Sequence, residues 1–249
     1  MVILKSLQEI EKIRAACLVV ADVLEGIREL VRPGVNTQTL DEFAERSIVK
    51  AAARPAFKGY RGYPKTLCTS VNNQVVHGIP SKEVILKPGD IISIDVGAIV
   101  DGFYGDAAIT LPVGEVSPEA ERLIKVTEES LSRGIAQAIA GNRLYDISYA
   151  VQSYVEANGY SVVREFVGHG IGRSLHEEPQ IPNFGERGQG LRIKPGMVFA
   201  IEPMVNIGGS ATTVKEDSWT AVTVDGSLSA HFEHTIAVLP EGPWVLSKK

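Results

Sequence analysis

Residues 91–110 read IISIDVGAIVDGFYGDAAIT, two apolar runs that meet at Asp101-Gly102. Asp-Gly between runs of this kind is a strong signal for a β-hairpin with a two-residue turn. In the register that this turn sets, Gly97 faces Asp106, and Asp95 lies two residues from Gly97 on the same face of the sheet. The segment therefore predicts an antiparallel hairpin in which Asp95 and Asp106 are diagonal neighbours, roughly 7–8 Å apart at Cα.

Two carboxylates this close together require a nearby positive charge. Gly97 opposite Asp106 leaves a hole where a side chain would otherwise stand. Two carboxylates aimed into that space repel each other strongly unless a cation lies between them. The alternative is that both aspartates point to solvent, as aspartates usually do.

The turn that precedes the hairpin recurs later in the chain. Lys87-Pro88-Gly89 leads into a strand that reaches Asp95, and Lys194-Pro195-Gly196 leads into a run that reaches Glu202. The spacing from turn to acid is the same in both copies. Lys-Pro-Gly alone is a common turn before a strand. The matched terminal acid makes a pseudo-two-fold domain, with one acid contributed by each half, the better interpretation.

The second half supplies further donors in strand-like, apolar settings. Glu202 lies in MVFAIEPMV and Glu233 in SAHFEHTIAVL, where a buried carboxylate without a partner is costly. His169 lies between two glycines, which permit close approach of a ligand. Like His77 in the first half, it is followed by Gly-Ile. A lone loop histidine is usually a surface residue, but beside four strand-borne acids His169 is a candidate nitrogen ligand.

Composition narrows the function classes. The 249 residues carry 25 Lys+Arg and 30 Asp+Glu, a net charge of −5, and the chain has no basic run, which argues against a nucleic-acid-binding protein. Two cysteines cannot build a disulfide framework, and acids at Glu9 and Glu11 interrupt any N-terminal signal sequence. No apolar run is long enough to read as a membrane span. We therefore expect a cytoplasmic protein with no membrane contact.

Apolar periodicity predicts four helices, and their places are residues 6–31, 39–53, 117–140 and 144–158. Ser6 is the expected N-cap of the first helix, with Glu9 as its capping-box partner. A late strand is expected at 236–239. His231 lies two residues before Glu233 and is a candidate to support it, whereas His234 points to the opposite strand face.

Several stretches together resemble the bacterial type I methionine aminopeptidases, which are pita-bread metallohydrolases. The resemblance covers essentially the whole chain, and the order Asp, Asp, His, Glu, Glu at these spacings is its most specific part. The matching stretches are GYRGYPKTLCTSVNNQVVHGIP (59–80), IDVGAIVDGFYGD (94–106), GHGIG (168–172), AIEPM (200–204) and HFEHT (231–235).

The resemblance implies an α+β, pseudo-two-fold pita-bread fold, in which helices cover a curved antiparallel β-sheet. It implies one catalytic domain, residues 1–249, built from halves at about 1–115 and 116–249. The implied activity is metal-dependent removal of the initiator methionine from nascent peptides and proteins, by a metal-bound hydroxide that attacks the first peptide bond. The expected enzyme is a monomeric methionyl aminopeptidase.

The resemblance also assigns the site residues. The implied ligands of a two-metal centre are Asp95, Asp106, His169, Glu202 and Glu233. Asp106 and Glu233 are the expected bridges, and the two divalent ions are Co, Mn, Fe, Zn or Ni. The expected catalytic residues are His77, His176 and Glu202, with Glu202 as the proton shuttle. The expected substrate-binding residues are Tyr60, Tyr63, Cys68, His77, His176 and Trp219.

Other interpretations remain open. Leu175 stands where the family often has an aromatic residue, which weakens the expected preference for methionine. An X-Pro dipeptidase or proline aminopeptidase uses the same ligand set, and a peptide-binding relative without catalysis is a further alternative. The ribosome is a candidate partner, but the segment 207–225 carries Lys215 as its one base.

Two divalent ions would offset most of the surplus negative charge of the chain.

Overall fold

The computed structural model describes residues 2–249 and has the α+β architecture that the sequence predicts. Within these residues the α-helices are α1 Leu7–Leu30, α2 Thr37–Lys50, α3 Pro118–Ile135 and α4 Leu144–Ala157. A 3₁₀ turn spans Tyr60–Gly62. The strands of the first half are β1 Arg54–Pro55, β2 Leu67–Val71, β3 Gln74–Val76, β4 Ile91–Val100 and β5 Phe103–Pro112. Those of the second half are β6 Ser161–Val162, β7 Gly168–Gly170, β8 Glu177–Ile181, β9 Val198–Ile201, β10 Met204–Asn206, β11 Thr212–Val214, β12 Ala221–Thr223, β13 Ser229–His231, β14 Glu233–Leu239 and β15 Gly242–Val245.

Local capping explains where the helices begin. The Ser6 side chain accepts a hydrogen bond from the Glu9 N–H, and the Glu9 carboxylate accepts one from the Ser6 N–H. The capping box is therefore present as predicted. The second helix begins at Thr37 rather than residue 39, because the Asn36 side chain caps it by accepting from the Thr39 N–H. The helix ends at Lys50 and not at the predicted residue 53. It cannot continue further because Ala52 takes a left-handed conformation, with φ of 56°.

The third helix is also shorter than predicted. It ends at Ile135 instead of residue 140, and the following residues form turns up to Gly141, whose φ is 100°. The fourth helix agrees with its prediction to within one residue. The late strand begins at Glu233, before the predicted start at residue 236, because its first residues pair with β5 and β9.

A nine-stranded antiparallel sheet forms the centre of the molecule. Its main path runs β1-β4-β5-β14-β9-β7-β8, with β2 paired to β4 and β15 paired to β14. Helix α1 packs against β4 and β5, and α3 contacts β9 and β14. Two three-stranded sheets, β13-β10-β6 and β11-β12-β3, complete the fold. Among residues 2–249, none of the helices combines the length and apolar character needed to cross a bilayer.

The repeat in the sequence is repeated in the contacts. Helices α2 and α4 both have 14 residues, and their first residues are separated by the same interval as the two Lys-Pro-Gly turns. The Gly34 N–H donates to the carbonyl of Leu86 at 2.8 Å, and the Gly141 N–H donates to that of Ile193 at 3.0 Å. The two glycine donors are separated in sequence by the same interval as the two Lys-Pro-Gly turns, and so are the two carbonyl acceptors. These matched contacts support the predicted pseudo-symmetry, and the division into halves near residue 115 stays a prediction.

Within the nine-stranded sheet, strands from the earlier and later parts of the chain meet where β5 lies beside β14. The residue pairs at this junction are Glu233 with Ala108 and His234 with Ala107. Threonine hydroxyls extend it on either side. Thr235 Oγ1 donates to the Asp106 carbonyl at 2.8 Å and accepts from the Asp106 N–H at 3.3 Å. Reciprocally, Thr110 Oγ1 donates to the His231 carbonyl at 2.8 Å and accepts from its N–H at 2.9 Å.

These hydroxyls take the place of ladder hydrogen bonds, so we predict that Thr235→Val destabilises the protein by about 1–3 kcal/mol. The substitution preserves shape but leaves a buried backbone N–H and carbonyl without partners. Denaturant unfolding of the metal-free protein measures the effect. Thr213→Val on exposed β11 is the matched control and should change stability by less than about 0.5 kcal/mol. Equal effects of the two substitutions would contradict this account of the junction.

Candidate metal centre

The hairpin places the two aspartates as predicted. Gly97 pairs with Asp106, and Asp95 pairs with Ala108, so the acids lie diagonally on one face of β4 and β5. Asp106 is 4% exposed, and Asp95 is partly exposed and lines the main cavity. The alternative in which both aspartates point to solvent is therefore wrong.

The space opposite Asp106 has a different use from the expected one. A Cβ on Gly97 would lie 2.8 Å from the Ala56 Cβ and 2.8 Å from Phe57 Cε1. Apolar side chains from the preceding loop thus fill the hole that the sequence suggested for a cation. Glycine is required at position 97 because Phe57 packs there and lines the cavity beside the acids.

The donors of the second half converge on the same place. Ligand atoms of Asp106, His169 and Glu233 lie within 4.8 Å of one another, and so do those of Glu202, His231 and Glu233. Glu202 reaches both imidazoles, with 3.5 Å from Oε1 to His169 Nε2 and 3.4 Å from Oε2 to His231 Nε2. Glu233 belongs to both groups and is central to the cluster. His231, expected as a supporting residue, lies as close as the predicted ligands.

Several polar atoms here are buried without a hydrogen-bond partner. They include Asp95 Oδ1, Asp106 Oδ1, Glu233 Oε1 and His231 Nε2. Native proteins seldom leave such atoms unsatisfied unless an ion or water completes them. Oxygen atoms that face one another across a few ångströms fit divalent cations.

Burial and mutual repulsion raise the pKa values of the acids in this cluster. Burial and the charge of Glu202 raise the pKa of Asp95 to about 7, although nearby His231 opposes this. Burial raises the pKa of Asp106, Glu202 and Glu233 well above the ordinary range, and the neighbouring acid charges raise those of Asp106 and Glu233 further. A cation at the centre would reverse both effects because it favours the ionised carboxylates.

His169 is prepared to donate a lone pair. Its Nδ1 lies 3.0 Å from the carbonyl of Gly170, to which it donates as an N–H. Burial lowers the pKa of His169 to about 3, with a further contribution from His176, so the ring is neutral at physiological pH. Since Nδ1 holds the proton, Nε2 faces the acids with a free lone pair, as metal-binding histidines require.

The centre opens into a cavity of about 530 Å³. Its lining includes all five predicted ligands and all six predicted substrate-binding residues. One side is apolar and is formed by Phe57, Tyr60, Tyr63, Cys68, Leu175 and Trp219. The Trp219 ring meets the Tyr63 ring edge-on at 5.1 Å. The Tyr63 hydroxyl is directed to the carbonyls of Leu67 and Gly78, at 2.9 and 3.0 Å, which fixes its ring as part of the wall.

Two further histidines line the cavity. His77 has a left-handed backbone, with φ of 61°, and its ring meets the edge of Phe166 at 5.5 Å. Its pKa is lowered to about 4 by burial and by the neighbouring His231 and His176. His176 lies 4.4 Å from His169 between ring centroids, and its Nδ1 is 2.8 Å from the Tyr60 hydroxyl. Burial and the charge of Arg61 lower the pKa of His176.

Sequence reasoning missed some lining residues. Phe57 lines the cavity from a loop, Arg61 from the 3₁₀ turn and Gln180 from the short strand β8. Phe166 contacts His77 from a loop. Residues 56–63, AFKGYRGY, contain two glycines that indicate a loop, but this signal does not say where the side chains point. His234 behaves as expected, since its Nδ1 hydrogen-bonds to Ser247 away from the acids.

The raised carboxyl pKa values lead to a stability prediction for the metal-free protein. Around pH 7, Asp95, whose pKa is raised to about 7, and the neighbouring acids with raised pKa keep protons in the folded state that the unfolded chain has lost. Stability therefore falls as pH rises in this window, by about 1.4 kcal/mol per pH unit for each proton retained. Urea unfolding at several pH values, with and without saturating Mn²⁺, measures the slope. Equal slopes for metal-free and metal-loaded protein would contradict the assignment.

Comparison with known proteins agrees with this geometry. The model for metallopeptidase family M24 matches residues 11–240. The methionine aminopeptidase of Clostridium perfringens is 54% identical over 247 residues, and the match covers 99% of each chain. The crystal structure of methionine aminopeptidase from Thermotoga maritima has a TM-score of 0.99 at 47% identity, with 100% of both chains covered.

A prolidase from Pyrococcus furiosus shares the fold, with a TM-score of 0.79 at 22% identity over 99% of this chain and 66% of its own. These neighbours confirm the pita-bread fold. The prolidase likeness is one of fold alone, whereas the full-length identity to methionine aminopeptidases is high. The chain therefore belongs to metallopeptidase family M24 and, within it, to the bacterial type I methionine aminopeptidases, which are metal-dependent hydrolases.

Proposed function

We propose that this centre binds two divalent cations and removes methionine from the N-termini of peptides and nascent proteins. The observation that carries the proposal is the convergence of four acids and one histidine on one cavity with an apolar side. The unpartnered carboxylate oxygens in this cluster support cation binding. The activity is that of the methionine aminopeptidases to which the chain is related.

The donor set fits two ions. The residues that would hold the ions are Asp95, Asp106, His169, Glu202 and Glu233, and Asp106 and Glu233 would contribute to both. Carboxylates with one imidazole suit Mn, Fe, Co, Zn or Ni. When bound, such ions polarise a carbonyl oxygen and make a water more acidic. His231 supports the centre through its contact with Glu202, 3.4 Å away.

Three side chains divide the work of hydrolysis. The carboxylate of Glu202 is the proton carrier, taking a proton from the attacking water and returning it to the leaving amine. Its position among the acids and within reach of both His169 and His231 supports this role. His77 and His176 are neutral imidazoles at the cavity wall, and each donates one N–H, His77 to the substrate amide and His176 to the oxyanion of the tetrahedral intermediate.

The apolar side of the cavity receives the methionine side chain. Tyr60, Tyr63, Cys68 and Trp219 form its wall together with Leu175. A soft sulfur such as that of Cys68 contacts a thioether favourably. Since Leu175 replaces a flat aromatic ring with a branched chain, we propose a pocket that accepts methionine with less discrimination against other unbranched side chains. The acids hold the free amine of the substrate near the ions, which limits cleavage to the first bond.

Location and partners follow from the same reasoning. Cys17 and Cys68 are buried and unpaired, in keeping with a reducing compartment, and we place the enzyme in the cytoplasm as a monomer. Nascent proteins are its proposed substrates. Contact with the ribosome stays a prediction, and the exposed segment around Lys215 gives it little positive charge to use.

Removal of metal should abolish release of methionine from a Met-Ala-Ser peptide, and Mn²⁺ or Co²⁺ should restore it. An X-Pro dipeptide is the control substrate, because prolidases share this fold. Methionine release is followed by chromatography before chelation, after chelation and after metal is added back. Full activity after thorough chelation would refute the metal mechanism. Cleavage of the X-Pro dipeptide but not of Met-Ala-Ser would instead identify a prolidase.

Asp106→Asn should reduce the metal content and lower kcat by at least about 100-fold, because a neutral amide cannot bridge two cations as a carboxylate does. Metal content is measured by elemental analysis after dialysis, in parallel with turnover. Asp22→Asn is the matched control, since Asp22 is exposed and pairs with Lys249 far from the cavity. If Asp106→Asn retains normal metal content and turnover, the bridging assignment is wrong.

A further inference from the structure

A nearly buried ion pair joins the N-terminal segment to the cavity wall. Lys5 Nζ lies 2.5 Å from Glu177 Oε2, and the two side chains are 4% and 10% exposed. The Lys5 ammonium also donates to the carbonyl of Ile3 at 3.0 Å. The backbone N–H of Lys5 donates to the carbonyl of Gly196 at 2.7 Å, and this hydrogen bond anchors the segment before α1. Neither Lys5 nor Glu177 is among the proposed ligands or catalytic residues.

The other oxygen of Glu177 closes a turn. Its Oε1 accepts from the N–H of Arg173 at 2.8 Å and from that of Ser174 at 3.2 Å. This turn, residues 173–177, carries Leu175 and His176 into the cavity. The carboxylate therefore has one oxygen on Lys5 and the other on the backbone that leads to His176.

Packing leaves this arrangement little freedom. A Cβ on Gly172 would lie 2.6 Å from Lys5 Cε and 2.7 Å from Glu177 Oε1, so the lysine passes through space that only glycine leaves open. The Gly172 carbonyl is in turn held by the Tyr104 N–H at 2.8 Å. A nearly buried carboxylate that loses its cation partner tends to reorient towards solvent. Reorientation of Glu177 would release the turn.

We propose that Lys5 is a positioning residue for His176. Its ammonium holds Glu177 in the orientation that closes the turn, and the closed turn places the His176 imidazole against His169 and the Tyr60 hydroxyl. This inference rests on the proposed role of His176 as a donor to the substrate. Misplacement of a catalytic group by about 1 Å can cost on the order of 100-fold in rate, so an ion pair remote from the reacting atoms is able to control turnover.

Lys5→Met keeps an unbranched side chain, one atom shorter, and removes its charge. In the metal-loaded enzyme it should lower kcat/KM for Met-Ala-Ser by roughly 10- to 100-fold, mostly through kcat, with metal content unchanged. Lys5→Arg keeps the charge and should restore most of the loss. Lys58→Met is the matched control, because Lys58 forms an exposed pair with Glu45 at 2.6 Å, and it should change kcat/KM by less than about twofold. Wild-type kinetics in Lys5→Met would overturn the proposal.

A double-mutant cycle separates positioning from a general structural role. In the His176→Ala background, Lys5→Met should lower kcat by no more than about twofold further, since the group it positions is already absent. An equal fall in both backgrounds would overturn the proposal and assign Lys5 to overall stability. Should Lys5→Met fail to fold, Glu177→Gln takes its place in the cycle, because it removes the same ion pair with the same side-chain shape.

A readout that needs neither metal nor activity completes the test. In metal-free protein with ¹⁵N-labelled histidine, Lys5→Met should shift the ring resonances of His176 and leave those of His234 unchanged. Unchanged His176 resonances would overturn the proposal. If His176→Ala alone has normal turnover, the proposed catalytic role of His176 fails, and the ring resonances still decide whether Lys5 positions it.

Discussion

The junction between β5 and β14 is the constraint on which the rest of this structure depends. Strand pairing and two reciprocal threonine bridges hold the halves together there. Because Thr235 binds the backbone of Asp106 and Thr110 that of His231, acids and imidazoles from opposite ends of the chain are brought to one place. The repulsion between these acids is concentrated at the seam, and cations would relieve it. The cluster of acids and imidazoles thus lies at the junction of β5 and β14.

The site is built from strands and loops, and each holds a different set of functional groups. Four of the five proposed ligands lie on strands β4, β5, β7 and β14, which are joined to their neighbours by ladder hydrogen bonds, and Glu202 directly follows β9. Loops supply the groups that would touch substrate: His77, with its left-handed backbone, and His176, on a turn closed by Glu177. Loop groups need support from elsewhere, and the ion pair from Lys5 gives the second of these loops a tie to the N-terminal segment.

Much of the fold and centre could be predicted from local signals. The Asp-Gly turn set the register that pairs Gly97 with Asp106, and the capping residue Ser6 located the first helix. Boundaries failed where side-chain caps or positive φ values intervened, as at Asn36 and Ala52. The filling of the space at Gly97 by Phe57 was not predictable, because a loop residue far earlier in the chain has no periodic relation to the strand.

The sequence by itself determined the hairpin, the internal repeat of turn and acid, and the identity of the candidate donors, because each depends on neighbours along the chain or on residue type. Only the tertiary structure decided that His231 reaches Glu202, that the Tyr63 hydroxyl is bound to backbone carbonyls, and that Lys5 pairs with Glu177 from the far end of the chain. Such contacts are fixed by packing and by the need to satisfy buried charge. Both act between segments whose separation in sequence carries no information about their distance in space.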